Sequence, residues 1–162
     1  MSWIPVVSAV LGAVIGLGSA LVGDRIRWRR EQGGHWLTLR REVYVGYLNA
    51  LHEANQTMRA VSLGDFPPET TRDLAARAAF REAGVNQAQE HLVLVASEQV
   101  IRAAGETTTA LRGLRDRIRG GEDHTAADYQ SEFHFFSDRL HELRNAMRRD
   151  LGVTALETQI PI

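Results

Sequence analysis

The run from Ile4 to Val22, IPVVSAVLGAVIGLGSALV, holds 19 residues and no charged side chain. As a helix it rises roughly 28 Å at about 1.5 Å per residue, close to the ~30 Å hydrocarbon thickness of a bilayer. A helix buried in a soluble core seldom stays apolar on every face for that length. Pro5 falls in the first turn, where its missing N–H costs little. Trp3 and Trp28 flank the run, positions at which amphipathic indoles favour the membrane interface. A cleaved signal peptide requires positive charge ahead of the apolar stretch, whereas here the arginines follow it. The sequence therefore predicts an uncleaved, single-pass transmembrane helix.

Orientation follows from Arg25, Arg27, Arg29 and Arg30, which sit just beyond the apolar edge. The positive-inside rule places the N-terminus outside the cell membrane and the remaining chain in the cytoplasm. The same four arginines are expected to contact lipid headgroups, each attracted to an anionic surface by about 1 kcal/mol. Ser8, Gly12, Gly16 and Ala20 recur at every fourth position and form a strip of small residues along the span. Such a strip lets a second helix approach closely, so these four residues are the expected site of transmembrane self-association, in a homodimer.

Residues 1–31 thus read as anchor and basic collar, 35–152 as a helical domain and 153–162 as a flexible tail. Gly33-Gly34 separates the first two. Paired glycines cost a helix roughly 2 kcal/mol relative to alanine, so they mark a hinge unless a continuous helix absorbs that cost. From His35 to Ser62 the apolar positions Leu37, Tyr44, Tyr47, Leu51, Ala54, Met58 and Val61 share one helical face. Leu63-Gly64-Asp65-Phe66-Pro67-Pro68 breaks it, and Pro68-Glu69 is expected to restart a helix. Its stripe is Leu74, Ala78, Val85, Ala88, Leu92 and Val95. Ser97 is the expected N-cap of the next helix, with Val100, Ala104, Thr107, Leu111, Leu114 and Ile118 inward. Residues 69–119 could equally form one bent rod. Gly120-Gly121 ends that stretch, and Thr125 to Asp128 resembles a capping box for a last helix. That helix turns Tyr129, Phe133, Phe136, Leu140, Leu143, Met147 and Leu151 inward, and Gly152 closes it. The predicted fold is all-α: one transmembrane helix, then an antiparallel cytoplasmic bundle of three to four helices, compact rather than an extended coiled coil.

Composition removes most chemistry. All 19 basic residues are arginine, and there is no cysteine. Phosphate-loop lysines, Schiff bases, thiol nucleophiles, disulfides and thiolate metal sites are excluded together. His134, Asp138 and His141 have a spacing that could ligate zinc, but the inward stripe of Phe133 and Phe136 turns them to the flank and to solvent. No metal, cofactor or catalytic residue is therefore assigned, and no enzyme is expected. Residues 24–31 carry four arginines against two acids, whereas 32–162 carry fifteen against eighteen, which disfavours nucleic acid as a partner.

Three segments carry a resemblance: Arg41-Glu42-Val43-Tyr44 with Tyr47-Leu48; Leu92-Val93-Leu94-Val95-Ala96-Ser97-Glu98-Gln99-Val100; and Arg148-Arg149-Asp150-Leu151-Gly152. With them the chain resembles a loosely defined group of small helical, membrane-anchored proteins of high-GC actinobacteria. The resemblance implies one membrane helix, a basic segment and a helical domain, and it carries over no catalytic residue. The expected function is a membrane-tethered helical interaction or scaffold protein. Its partners would be membrane lipid and a second copy or another protein, with no identifiable small-molecule substrate. The alternative is an anchored sensor or carrier that binds a small ligand or metal between helices, with Tyr44, Tyr47, Phe133 and Phe136 lining the pocket.

Overall fold

A computed structural model describes residues 35–158. The expected membrane span, its small-residue strip (Ser8, Gly12, Gly16, Ala20) and the collar arginines (Arg25, Arg27, Arg29, Arg30) lie outside the described residues. No helix among the described residues is long and apolar enough to cross a membrane. The chain divides into two compact units, Met1–Leu39 and Arg40–Ile162. Of the first, residues 35–39 are described. They are helical and exposed, Leu37 included, because that residue falls outside the core of the second unit.

Every regular element among the described residues is a helix. Helical backbone covers 35–62 (α1), followed by α2 (Arg72–Glu82), α3 (Val85–Val93), α4 (Glu98–Arg119) and α5 (Ala127–Asp150). The second unit is an up-down-up-down bundle in which α2 and α3 together make the second, broken arm. Its direction is set by contacts at both ends. Tyr44 near the start of α1 meets Asp150 at the end of α5, and Arg72 opening α2 donates to the Gly121 carbonyl after α4 at 2.9 Å. Arg117 of α4 reaches Asp128 of α5 at 3.2 Å, as antiparallel neighbours must.

Local chemistry explains each boundary. α1 closes on a left-handed Gly64 (φ 86), with the Asp65 N–H reaching back to the Ala60 carbonyl at 3.0 Å. Pro67-Pro68 does not restart the helix. The Thr71 hydroxyl accepts from the Leu74 N–H at 3.3 Å, and this cap delays α2 until Arg72. Residues 69–119 form three helices rather than one rod or two. Gly84 adopts φ 67, a conformation in which other residues are strained, and this ends α2. Ser97 is extended and occupies the N-cap position of α4, though its side chain makes no capping bond. The expected box at Thr125–Asp128 is absent. The Asp123 carboxylate takes both the Thr125 N–H and its hydroxyl, which leaves Ala126 as the cap residue of α5.

Leu37 apart, the core follows the expected stripes except in α2. Tyr44, Tyr47, Leu51, Ala54, Met58 and Val61 of α1 are buried against Val100, Ala104, Leu111, Leu114 and Ile118 of α4 and Phe136, Leu140, Leu143 and Met147 of α5. In α2, Leu74 is 57% exposed, and Ala75, Ala76, Ala79 and Phe80 turn inward instead. Arg112 and Arg115 lie over the Phe80 ring, 5.6 and 5.5 Å from its centre. Residues 153–158, expected as a loose tail, return along α5: the Asn145 amide bonds both the N–H (2.7 Å) and the carbonyl (3.3 Å) of Leu156.

Two glycines test this account. A Cβ at Gly46, inside α1, would meet nothing within 4 Å, whereas Gly84 is held at φ 67. Gly46→Ala is expected to stabilise the protein by roughly 0.5–1 kcal/mol and Gly84→Ala to destabilise it by about 1 kcal/mol or more. Chemical denaturation of the two variants checks both signs.

Candidate functional site

Among the described residues the bundle interior holds a packed core of buried side chains. Tyr47 is fully buried (0% exposed), and its hydroxyl donates to the Ala104 carbonyl at 3.0 Å and lies 2.7 Å from Thr108 Oγ1. Thr108 in turn reaches Gln89 Oε1 at 3.2 Å, and Thr107 donates to the Arg139 carbonyl at 3.1 Å. The aromatic residues expected to line a ligand pocket instead pack as core: Tyr44 and Phe136 are buried, and Phe133 is packed against the same cluster. A cavity of about 180 Å³ lies beside Arg59, His124, Tyr129, Gln130 and Phe133. It is below the roughly 300–1,000 Å³ of small-molecule pockets.

All three tyrosines of the chain (Tyr44, Tyr47, Tyr129) are held protonated beyond the ordinary phenol range, with burial as the largest cause in each. At Tyr44 the bond to Asp150 adds to that effect. Asp150 also pairs with Arg40 at 3.1 Å, so α1 and α5 are clasped by a shielded Arg–Asp–Tyr cluster. At the opposite end the Arg119 guanidinium bonds Asp73 and lowers its carboxyl below the usual range. Burial alone would raise Asp116, but Arg115 and Arg119 together outweigh it and hold it low. These clusters join helices and present no nucleophile beside a base.

A groove of about 550 Å³ lies between α4 and α5, lined by Ile101, Arg102, Gly105, Glu106, Thr109, Phe135 and Arg139. Its floor exists because Gly105 has no side chain, and a Cβ built there would touch nothing within 4 Å. The Thr109 hydroxyl is satisfied inside α4 by the Gly105 carbonyl at 2.9 Å, so it demands no partner from the groove. On the α5 side Phe135 is 47% exposed, and the Arg139 guanidinium covers one part of it, 5.1 Å from the ring centre. Arg139 is itself fixed by Glu106 at 3.1 Å and Glu142 at 2.8 Å. Arg102 pairs with Glu98 at 3.0 Å on the other rim. The result is an apolar cleft with fixed charges of both signs along its edges, a shape suited to an amphipathic helix.

Sequence reasoning missed this site. Arg139 reads as one charge in an alternating exposed face, and Phe135 lies off the inward stripe that claims Phe133 and Phe136. A lone exposed aromatic is too common to signal function. His134 and His141 are not brought together: His134 Nδ1 lies 2.7 Å from the Gln130 carbonyl, and His141 Nε2 lies 2.9 Å from the Asn145 amide. No group of three or more His, Cys, Asp or Glu among the described residues is placed to hold a metal.

The tyrosine environments make a direct prediction. Raised folded-state pKa values favour the folded form while the phenols stay protonated, so this stability is complete below the unfolded tyrosine pKa of about 10 and lost as pH rises above it. Phenolate absorbance is therefore expected to appear only as the protein unfolds at alkaline pH, in step with the loss of helical circular dichroism. A reversible titration near pH 10 in the folded state would contradict the burial of these hydroxyls. In comparison with known proteins, the chain matches no family model, no curated protein and no solved structure.

Proposed function

We propose that this chain is a non-enzymatic, membrane-tethered interaction module that self-associates, with the α4–α5 groove as the docking surface of its cytoplasmic domain. The observation that carries the reading is the groove itself: a preformed apolar cleft floored by Gly105, walled by Phe135 and rimmed by Arg102, Glu106 and Arg139. Two sequence features support the tether and the second copy. The charge-free run 4–22 with its arginine collar supplies one anchor per chain, and the strip of Ser8, Gly12, Gly16 and Ala20 supplies a second contact between chains. Two weak contacts on one tethered molecule reinforce each other, because the first raises the effective concentration for the second. The ligand-carrier reading is less favoured, since the interior aromatics are packed as core.

Filling the groove tests the proposal without threatening the fold. Gly105→Leu places a better helix former where a Cβ has open space, so thermal stability is expected to hold or rise. Crosslinking of the full-length protein in membranes is expected to fall at least several-fold in Gly105→Leu and in Phe135→Ala. It should fall further when either is combined with Gly12→Ile and Gly16→Ile. Undiminished crosslinking in the groove variants would remove α4–α5 from the interface. Undiminished crosslinking in the combined variant would show that neither the groove nor the small-residue strip carries the association, and the proposal would fall.

A further inference from the structure

The second unit has two chemically different ends. At one of them α1 begins, the α3–α4 corner turns, and α5 finishes. The three are joined at Tyr44, whose hydroxyl donates to Asp150 with the Ser97 backbone N–H close by, and at Arg40, 3.1 Å from the same carboxylate. Leu94, three residues before Ser97, is 77% exposed, more than any other large apolar side chain among the described residues. Its neighbour Val93 is 46% exposed, and Val153, three residues beyond Asp150, is 45% exposed. Arg41 and Arg149 are exposed at this end, and Arg148 is half-exposed, its Nε donating to the Thr154 carbonyl at 2.7 Å. The acids here are Glu42, Glu90, Glu98 and Asp150, of which Glu98 is paired with Arg102 and Asp150 with Arg40. At the opposite end the exposed Leu63 and Leu74 are interleaved with Asp65, Glu69 and Asp123, and the arginines there are engaged within the fold: Arg72 with the Gly121 carbonyl, Arg117 with Asp128, and Arg119 with Asp73 and Asp116.

Chain connectivity distinguishes the two ends further. Only residues 23–39 separate the charge-free run from Arg40, the first residue of the second unit. Fully extended they reach at most about 60 Å, and as a helix about 26 Å. The end that carries Leu94 is thus the one tied by the shorter path to the predicted bilayer. We propose that this end is a lipid-facing surface. Leu94, Val93 and Val153 enter the headgroup region of an anionic membrane, and Arg41, Arg148 and Arg149 meet its phosphates. Apolar side chains beside arginines are the composition that binds such an interface, where each arginine adds attraction that salt screens. The inference rests on the anchored reading and adds to it which end of the second unit meets lipid.

Because the chain has no cysteine, single labels can be placed without background. The full-length protein would carry a nitroxide at one of three positions through Leu94→Cys, Glu69→Cys or Val14→Cys. Each form would be reconstituted in vesicles of phosphatidylcholine with phosphatidylserine, and its collisions with oxygen and with a water-soluble nickel complex compared. The expected result is nickel accessibility several-fold lower at position 94 than at position 69, with position 14 shielded most. Adding Arg148→Gln and Arg149→Gln, or omitting phosphatidylserine, should raise accessibility at position 94 and leave position 14 unchanged. If position 94 is as open to nickel as position 69 while position 14 is shielded, the lipid-facing surface is wrong and the anchor stands. If position 14 is also open, the anchor fails and the lipid-facing surface falls with it.

Discussion

The buried hydroxyls at the centre of the bundle set the register of everything around them. Tyr47, Thr108 and Gln89 form a chain from α1 through α4 to α3, and Thr107 ties α4 to the Arg139 backbone of α5. Neutral hydrogen bonds of this kind stabilise by only about 1 kcal/mol each. Their influence is larger because a buried polar group without its partner costs about 1–3 kcal/mol. Sliding α4 by one turn would keep much of the apolar packing and orphan several of these groups at once. Apolar burial holds the helices together, and the hydroxyls decide where along one another they rest.

The same register places the features that face outward. With Thr107 held at Arg139, α4 and α5 lie at a spacing that opens the groove beside Gly105 and brings Arg139 between Glu106 and Glu142. With Tyr44 held at Asp150, the α3–α4 corner and the end of α5 are drawn to one end, and Leu94 and Val153 are left in solvent there. Both outward surfaces are therefore consequences of interior hydrogen bonds.

Much of the fold is legible from periodicity. The stripes of α1, α4 and α5 correspond to buried residues because each contains large side chains at helical spacing, leaving one orientation strongly preferred. The α2 stripe is misread for the converse reason. Ala75, Ala76, Ala78 and Ala79 give several faces nearly equal hydrophobicity, and Phe80 decides the rotation by burying its ring while Leu74 stays out. Two boundaries also resist sequence reading, since they depend on competition between equivalent partners. Asp123 captures Thr125 before it can cap α5, and Thr71 rather than Pro68 starts α2. The groove is harder still to see. It needs a missing side chain at Gly105 opposite an off-stripe Phe135, and these are 30 positions apart in sequence.

What the sequence determines alone is local or compositional. The charge-free run and its arginines predict a membrane span, the helical repeats predict an all-α domain, and the absence of lysine and cysteine removes whole classes of catalysis. These follow from properties that each segment carries in isolation: length, charge and the angular spacing of apolar side chains. Tertiary structure alone decides which face of α2 is buried, where the α4–α5 groove opens and which end of the bundle exposes Leu94. Those outcomes depend on the relative rotation and register of distant helices, and register is set by hydrogen bonds between residues that periodicity marks merely as buried.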